Sequence, residues 1–512
     1  MLKLNKSHVL WKGGTTNKAQ FVKVLQSAIA AIMKSSPKRV SIEAMAETAR
    51  QLGIQVDEDN KECQTPNTYA KEITAQIKDV AKYKREKLRL QGETWRNLAE
   101  VEKELCRMRK QGDTPLEKYK SQLKKKLMDL HAQQNKHDLT DGLITFITGI
   151  RLLPPMEKHY FLKWMKFGLD HITRENLSKL WDQYKEKCKN SKDDPKMFAE
   201  LDKLISASSL GVQHFMCELG QFYEAECSMV KEGKMAESQR QFTHLPGIAA
   251  DLMLEGFPME IIDGDVSNIS LQWVTDVLSQ LHAKLGGRSK ILFAVSSGRC
   301  TRGAFTLLIK VAENFQQELG CDFILVIDTE GLKAPELAKL EDSYQHDNEL
   351  ATLVIGLSDI TILNMAMENA TGMKDVLQIV VHAFLRMEKI GKKTNSQFVH
   401  QNVSDVSAHE QNMRDRKHLL EQLNEMTKAA ANMEKKCKEM NFSDIMDYDL
   451  EKHNWYIPAL WHGVPPVAPV NLGYSQKVYE LKKYLFEFLK DCSQERTPND
   501  IPLFLAWVRS LL

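Results

Sequence analysis

The sequence predicts an α + α/β chain, in which an all-helical N-terminal region precedes a mostly parallel β-sheet flanked by helices. Two observations carry this prediction. Apolar residues recur at helical spacing up to about residue 240, whereas short Val- and Ile-rich runs alternate with helical segments after His244. The 512 residues also exceed what one ordinary hydrophobic core holds. We therefore expect a helical region at residues 1–240 and a sheet domain at residues 241–512.

The helical region is predicted from amphipathic periodicity. Residues 67–110 are expected to form one long helix, because their apolar side chains follow a single stripe. Gly112 ends that helix, and Pro115 can begin the next one over residues 116–134. Further helices are predicted at residues 18–34, 157–169, 174–189 and 213–237.

The sheet is predicted from short apolar runs. They lie at residues 291–295, 323–327, 353–363 and 398–400, with a weaker run at 455–459. Runs of this kind are typical of parallel strands that helices bury on both faces. In such folds ligands bind at the carboxyl ends of the strands, so we expect the chemistry just after each run.

Composition narrows the class of protein. With 43% hydrophobic and 27% charged residues, the chain has no apolar run long enough to cross a membrane, and its first residues do not form a secretory signal. None of the nine cysteines stands at CxxC or zinc-finger spacing, so neither a disulfide nor a structural metal is predicted. These features predict a cytoplasmic or nuclear protein.

Charge is unevenly distributed along the chain. Lys and Arg predominate before residue 240, and Asp and Glu predominate after it. A basic half can bind nucleic acid or an acidic membrane. Its positive charges alternate with carboxylates at helical spacing and lack interleaved aromatic residues, which favours solvated helix faces and no specific nucleic acid. Residues 82–89 and 124–126 are the places to test the alternative.

The strongest chemical signal follows a predicted buried strand. Asp328 closes the run at residues 323–327, and Gly331 follows three positions later. This DxxG spacing is typical of nucleotide switches, in which the carboxylate reaches Mg²⁺ and a glycine N–H approaches the terminal phosphate. The alternative is an aspartate that opens a turn after an ordinary strand.

Two further polar segments stand in the order that a guanine-nucleotide site requires. A glycine-flanked loop at residues 296–303 contains Thr301, which is placed to complete a magnesium shell. Downstream, Asn402 and Asp405 have the N-x-x-D spacing of guanine-recognising loops. Val403 replaces the usual lysine there and could pack on the base face. The alternative for this segment is an Asx-turn that leaves a strand.

The sequence also resembles a known family. The stretches FAVSSGRCTRGAF, ILVIDTEGLKAPELA and FVHQNVSDVSAHEQNMRDRK are similar to the G domain of the interferon-induced very large GTPases. That family is related to up-regulator of cell proliferation and, more distantly, to dynamin-like GTPases. The resemblance implies a P-loop-NTPase-like fold, a part in the interferon response, and association with itself or related GTPases through the G-like domain. Because family members are several times longer, we expect an internal fragment from a truncated or pseudogene-like copy.

The resemblance also implies roles for the polar residues at the strand ends. GTP would bind with Mg²⁺, which Thr301 and Asp328 would help to hold. Gly331 would contact phosphate, and Asn402 with Asp405 would recognise guanine. No catalytic residue is assigned.

One element of a G domain is missing from the sequence. A G domain begins with a strand, the loop GxxxxGK[ST] and a helix, and no such loop occurs in the chain. By resemblance the loop belongs just before Ile291, so the first strand, the P-loop and its helix are predicted to be absent together. This loss would empty a central position of the sheet, unless residues 291–295 fill it and residues 296–303 serve as a substitute loop.

Three functional hypotheses follow. The leading one is a GTP-binding-family protein that cannot bind or hydrolyse GTP efficiently. The second is a non-catalytic helical interaction protein whose G-like domain is a docking or dimerisation surface. The third is a working GTPase with an unorthodox phosphate loop.

Overall fold

The fold was obtained as a computed structural model. It describes residues 3–4, 42–190, 200–201, 204–205, 207–262, 269–286, 291–297, 304–319, 322–329, 343–366, 370–389, 395–403, 409–433, 440–446, 448–449, 451–461, 470–495 and 501–511. Among these residues, no helix combines the length and the apolarity needed to span a bilayer.

Helices dominate the first part of the chain. Its elements are β1 (Lys3–Leu4), α1 (Ile42–Gln51), β2 (Ile54–Gln55), α2 (Lys61–Thr74), α3 (Val80–Lys87), α4 (Glu93–Arg107), α5 (Leu116–Gln134), α6 (Asp141–Leu152), α7 (Pro155–Asn190) and α8 (Val212–Lys231).

Strands and helices alternate in the second part. Its elements are α9 (Leu245–Leu254), β3 (Met259–Ile262), α10 (Leu271–Lys284), β4 (Ile291–Ser297), β5 (Ala304–Lys310), α11 (Glu313–Leu319), β6 (Phe323–Thr329), α12 (Ser343–Leu357), β7 (Ile360–Ala366), α13 (Ala370–Lys389), β8 (Asn395–Val403), α14 (His409–Met433), α15 (Phe442–Ile445), β9 (Asn454–Pro458), α16 (Leu472–Glu495) and α17 (Ile501–Leu511).

Two compact units divide the chain. The first comprises Met1–Lys87 and Leu139–Val212, and the second comprises Leu88–Asp138 and Gln213–Leu512. The strands β3 to β9 form one seven-stranded sheet, which lies in the second unit. The predicted boundary at residue 240 coincides with the change from helices to strands, and as a domain boundary it stays a prediction.

The predicted single helix over residues 67–110 is wrong, because the chain turns twice within it. α2, α3 and α4 occupy this stretch. The Asp79 side chain accepts a hydrogen bond from the Lys82 N–H and so caps the start of α3. Ile77 and Leu90 are buried in the two turns. The apolar residues of the turns therefore continue the periodic pattern of the helices. For this reason the sequence of three short helices resembles that of one long helix.

The apolar run at residues 353–363 was predicted as a strand, and its first half is helical instead. α12 continues to Leu357, and β7 begins at Ile360. Between them the Ser358 and Thr361 hydroxyls are hydrogen-bonded at 2.7 Å. A buried helix and a buried strand both present continuous apolar sequence, so the pattern alone cannot separate them. Likewise, residues 157–169 and 174–189 belong to one helix, α7.

The sheet has the strand order β3-β5-β6-β4-β7-β8-β9. The pairs β6–β4, β4–β7, β7–β8 and β8–β9 are parallel, and β3–β5 and β5–β6 are antiparallel. The predicted mostly parallel sheet with flanking helices is therefore present, with β5 and β3 added on one side through antiparallel pairing.

β4 occupies the centre of this sheet. All seven of its residues pair with β6, and Ala294–Ser297 also pair with β7. The strand order agrees with the alternative in which residues 291–295 fill the central position, and it does not agree with an empty centre. Parallel neighbours pair with both sides of Ala294–Ser297 and with one side of the first three residues, which keeps the sheet continuous through this strand.

The core beside β7 and β8 involves α12, α13, α14 and α15. Its largest buried side chains include Phe384 of α13, Phe398 of β8 and Phe442 of α15. α13 contributes buried residues on several sides, since it packs against α12 and α14 as well as the sheet. This packing holds β7 and β8 in place.

The two edge strands of the sheet differ in length and in packing. β3 has only four residues, and its pairing with β5 shifts register between Glu260 and Ile262. On the other edge, the Trp455 ring of β9 packs against Tyr484 of α16 with ring centroids 5.3 Å apart. The Trp455 indole N–H also donates to Gln397 Oε1 at 2.9 Å, which ties β9 to β8.

Candidate functional site

The carboxyl ends of the parallel strands β4 and β6 bring polar residues to one edge of the sheet. Ser296 of β4 lies beside Asp328 of β6, and Ser297 lies between Thr329 of β6 and Leu363 of β7. This is the edge at which parallel α/β folds bind their ligands. Asp328 therefore lies near the carboxyl end of its strand, as the sequence indicated, and its role in binding stays a prediction.

Asp328 lies inside β6 and does not follow it. It is the sixth of the seven residues of the strand, half-buried, and pairs with Ser296 on one side and Phe305 on the other. Ile327 and Thr329 on either side of it are fully buried. The alternative interpretation, an aspartate that opens a turn, does not match this position.

Asn402 lies near the carboxyl end of β8, where the strand is irregular. Its side chain is exposed and its φ is +60°, in the left-handed region. Gln401 pairs with Ile457 and Val403 with Pro458, so Asn402 is the extra residue of a bulge. Asparagine tolerates left-handed backbone better than most residues. This local requirement is one physical reason for an asparagine here, independent of any ligand.

Asp328 and Asn402 lie on opposite halves of the carboxyl edge. β4 and β7 separate their strands. Three strand spacings of about 4.8 Å correspond to roughly 14 Å across the sheet. A ligand touching both residues would have to be elongated and lie along the edge, with one end near β6 and the other near β8.

Three of the predicted site residues lie outside the described residues. They are Thr301, Gly331 and Asp405. Their roles, and those assigned to Asp328 and Asn402, stay predictions. Within the described ranges, no group of three or more His, Cys, Asp or Glu side chains is placed to hold a metal ion.

A buried polar cluster close to Asn402 was missed in the sequence. His400 of β8 is 3% exposed and stacks on Tyr456 of β9, with ring centroids 4.6 Å apart and ring planes 9° from parallel. The Arg416 guanidinium of α14 lies over the same Tyr456 ring, 5.3 Å from its centroid. The only available signal was a histidine inside an apolar strand.

Burial has a clear electrostatic effect on His400. It lowers the pKa of the imidazole to about 4, helped by the nearby Arg416 charge and opposed by the Asn454 amide. The ring is therefore neutral at physiological pH. Among the described residues neither ring nitrogen makes a well-formed hydrogen bond, so the stack on Tyr456 and the surrounding packing hold the ring in place.

Comparison with known proteins identifies the family. The sequence model of the URGCP-like GTPase domain matches residues 102–293 and 291–475, and that of the up-regulator of cell proliferation-like domain matches residues 1–74. Together these matches span most of the chain, including the sheet and its candidate site.

Individual relatives agree with this assignment. Up-regulator of cell proliferation from Bos taurus is 41% identical over 540 residues, which cover 100% of the chain and 57% of the relative. The Homo sapiens protein of the same name is 39% identical over 536 residues, with 100% and 56% covered. Interferon-induced very large GTPase 1 from Mus musculus is 34% identical over 518 residues, with 94% and 21% covered.

The chain thus spans little more than half the length of the up-regulator relatives it matches. The similarity to them and to the very large GTPase extends over nearly the whole chain. The parallel sheet, the position of Asp328 and the match to the GTPase-domain model agree with one another. The chain belongs to the URGCP-like GTPase family.

Proposed function

We propose that this chain is a GTPase-family protein that has lost its phosphate-binding loop and neither binds nor hydrolyses GTP efficiently. The spacing of two strands carries the proposal. β4 ends at Ser297 and β5 begins at Ala304, so residues 298–303 alone connect them. A P-loop takes eight residues and leads into a helix, as in the motif GxxxxGK[ST]. The six connecting residues are too few for an eight-residue loop followed by a helix.

Two features of the family comparison support an excision. The GTPase-domain model matches in two stretches that meet at residues 291–293, at the start of β4. The match to the Bos taurus relative extends over 540 residues, which exceeds the 512 residues of the chain by 28. A strand, a P-loop and a helix account for a segment of that size.

The energetic consequence is large. The P-loop supplies most direct phosphate contacts through its backbone N–H groups and its lysine. Each charge-assisted hydrogen bond is worth about 1.5–3 kcal/mol, and about 1.4 kcal/mol corresponds to a tenfold change in affinity. Losing several such contacts weakens GTP binding by several orders of magnitude. Thr301, Asp328, Gly331, Asn402 and Asp405 remain as a residual guanine-nucleotide site.

Titration of the full chain with a fluorescent GTP analogue, with and without Mg²⁺, tests the proposal. We expect binding weaker than micromolar and no GTP turnover above background. Any weak signal should fall with Asp328→Asn and Asp405→Ala. Asp322→Asn is the matched control, because Asp322 immediately precedes β6 at its amino end. This variant should leave the binding signal unchanged. Micromolar binding that Asp328→Asn abolishes would instead support a working site with an unorthodox loop.

The second candidate, a helical interaction protein, is favoured by the surface of α7. Between residues 171 and 187 this helix has no buried residue, and Trp181 is 47% exposed beside Tyr184. Association with itself or with related GTPases, in the cytoplasm or the nucleus, would suit this candidate. Sedimentation of the full chain and of Trp181→Ala tests it. A monomer whose behaviour Trp181→Ala leaves unchanged would count against self-association through this helix.

A further inference from the structure

The fully buried residues of the long helix α7 lie on one side of it. Phe161, Met165 and Leu169 share this side, because they recur every four residues. The Phe161 ring packs edge-on against Tyr69 of α2, with ring centroids 6.4 Å apart. α2 therefore covers this side of α7.

The opposite side of α7 exposes large apolar side chains to solvent. Met156, Phe167 and Trp181 are 58%, 52% and 47% exposed. At about 3.6 residues per turn, these three positions lie within about 40° of one another and roughly opposite Met165. A rise of about 1.5 Å per residue separates Met156 from Trp181 by about 38 Å along the helix. An aligned row of exposed apolar side chains is typical of an interaction surface.

Basic side chains alternate with this apolar row. Lys163, Arg174 and Lys185 lie in the same sector of the helix as Phe167, and each is partly or largely exposed. We call this side of the helix the α7 face. Six residues define it, namely Met156, Lys163, Phe167, Arg174, Trp181 and Lys185.

The carboxylates of α7 lie mostly outside this face. Most of them lie roughly 70–110° to one side of its middle, namely Glu157, Glu175, Asp182 and Glu186. Glu175 pairs with Lys179, also off the face, at 3.0 Å. Asp170, which is half-buried, borders the face on its other side. Cations and carboxylates alternate along the sequence, and the helix separates most of them in space.

The turn between α6 and α7 continues the surface at its amino end. Leu152 is the last residue of α6, four positions before Met156, and is 73% exposed. The preceding Arg151 is exposed as well. These two residues provide one more apolar side chain and one more cation next to the α7 face.

The α7 face has the wrong spacing for pairing with a second helix. Paired helices interlock through apolar residues that recur every three or four positions. Met156, Phe167 and Trp181 are instead 11 and 14 positions apart. Lys163 and Arg174 stand between them, and a helix packed on the face would take these charges out of water.

The face is also poorly suited to a single nucleic-acid strand. Such strands bind where aromatic side chains stack on successive bases beside a basic groove. Phe167 and Trp181 are about 21 Å apart along the helix, which is too far for neighbouring bases. The aliphatic side chains of Leu152 and Met156 offer no ring for stacking.

We propose that the α7 face docks the protein onto an anionic phospholipid bilayer, with the helix lying in the plane of the membrane surface. Its apolar side chains enter the boundary between headgroups and acyl chains, to a depth of about 5–10 Å. Its cations contact the lipid phosphates, while their aliphatic stems lie along the apolar layer. Wide spacing between apolar residues is tolerated there, because lipid molecules fill the gaps. This role is independent of nucleotide binding and differs from self-association through the same helix.

Flotation of the full chain with lipid vesicles tests the proposal. We expect binding to vesicles of phosphatidylcholine with phosphatidylserine, no binding to phosphatidylcholine alone, and weaker binding at high salt. Each cation near an anionic surface changes binding about fivefold. Arg174→Gln combined with Lys185→Gln should therefore lower the partition coefficient roughly thirtyfold.

Lys179→Gln combined with Lys187→Gln is the matched control for this charge change. Both lysines are exposed on α7 and lie away from the α7 face. The control pair removes the same net charge and should weaken binding severalfold at most. Absence of binding to the anionic vesicles, or equal effects of the two pairs, would overturn the proposal.

Tryptophan emission reports whether the apolar side chains enter the bilayer. Phospholipids brominated on their acyl chains should quench part of the emission of the bound natural chain. Trp181→Phe should lose this quenched part, whereas Trp461→Phe, which removes another exposed indole, should retain it. Quenching that Trp181→Phe leaves unchanged would contradict docking through this face.

Two further measurements separate the membrane from other partners. Sedimentation without vesicles should give the same species for the natural chain and for Trp181→Ala. A dimer that Trp181→Ala dissociates, with no vesicle binding, would assign the face to a second copy and reject the proposal. Binding of a single-stranded oligonucleotide without vesicle binding would also reject it. Because the substituted side chains are exposed, thermal unfolding of all variants should match that of the natural chain.

Discussion

His400 illustrates how a single residue can be invisible to pattern-based prediction. The position of Asp328 near the carboxyl end of β6 could be predicted because its neighbours in sequence define the strand. The burial of His400 depends instead on Tyr456, more than 50 positions later in sequence, and on the Arg416 helix. Likewise, the left-handed backbone of Asn402 arises from pairing with β9. The spacing of residues along the sequence predicts neither the packing around His400 nor the backbone conformation of Asn402.

Replacing His400 by phenylalanine should reduce the loss of stability on acidification. Burial lowers the pKa of His400 to about 4, so the folded protein favours the neutral ring. The stability associated with that preference is fully present above about pH 6.5 and is lost as the pH falls through 4, by about 3 kcal/mol in total. Urea unfolding at several pH values in this window measures the difference.

His418→Gln provides the control for that experiment. His418 is exposed on the same helix as Arg416, so its removal should leave the acid sensitivity unchanged. If the free energy of unfolding of His400→Phe falls with pH as steeply as that of the natural chain, the interpretation of His400 is incorrect.

At the scale of helices and strands, the sequence pattern predicts where most strands lie but does not predict where helices begin and end. The apolar runs located β4, β6, β8 and β9, because a strand buried on both faces is continuous and short. The turns between α2, α3 and α4 were missed because they contain buried apolar residues such as Ile77 and Leu90. The Leu90 N–H in the second turn donates to the Glu218 side chain, 128 positions later in the sequence.

Close approach between α8 and α10 depends on Gly220. A Cβ at this position would lie 2.9 Å from Nε1 of Trp273 and 3.0 Å from its Cε2. Because the indole ring is rigid, we expect Gly220→Ala to destabilise the protein by about 1–3 kcal/mol, despite the better helix propensity of alanine. Thermal unfolding measures this change.

Gly247→Ala is the matched control, since Gly247 also lies in a helix. A Cβ there would meet only Gln280 Oε1, at an ordinary 3.8 Å. We expect a neutral or stabilising effect of up to about 1 kcal/mol. Equal effects at the two positions would show that helix propensity, and not the Trp273 contact, determines the outcome.

At the scale of the whole molecule, segments that are adjacent in sequence do not always belong to the same compact unit. The α4–α5 hairpin precedes residue 240 but belongs to the unit that contains the sheet. It contacts α12 through Arg107, whose Nη2 donates to both Glu349 carboxylate oxygens at 3.0 and 3.1 Å. Composition and periodicity predict the two structural classes, but they contain no information on such long-range ion pairs.

Charge reversal should reveal how much this ion pair contributes. We expect Arg107→Glu and Glu349→Arg to destabilise the chain singly, and the double exchange to restore most of the loss. Since Glu349 is half-exposed, the coupling free energy should be at most about 1 kcal/mol and should decrease at high salt. A double-mutant cycle from chemical unfolding measures it, and strictly additive single effects would show that the pair is not coupled.

The edges of the sheet have a consequence for aggregation. A long, flat and open edge strand can recruit another chain by backbone pairing. Here one edge is the four-residue β3 with its register shift, and the other, β9, is packed against α16 through Trp455 and Tyr484. Neither edge presents a regular ladder for intermolecular β-pairing. The edges of the sheet, as far as the structure describes them, therefore disfavour assembly into fibrils by strand addition.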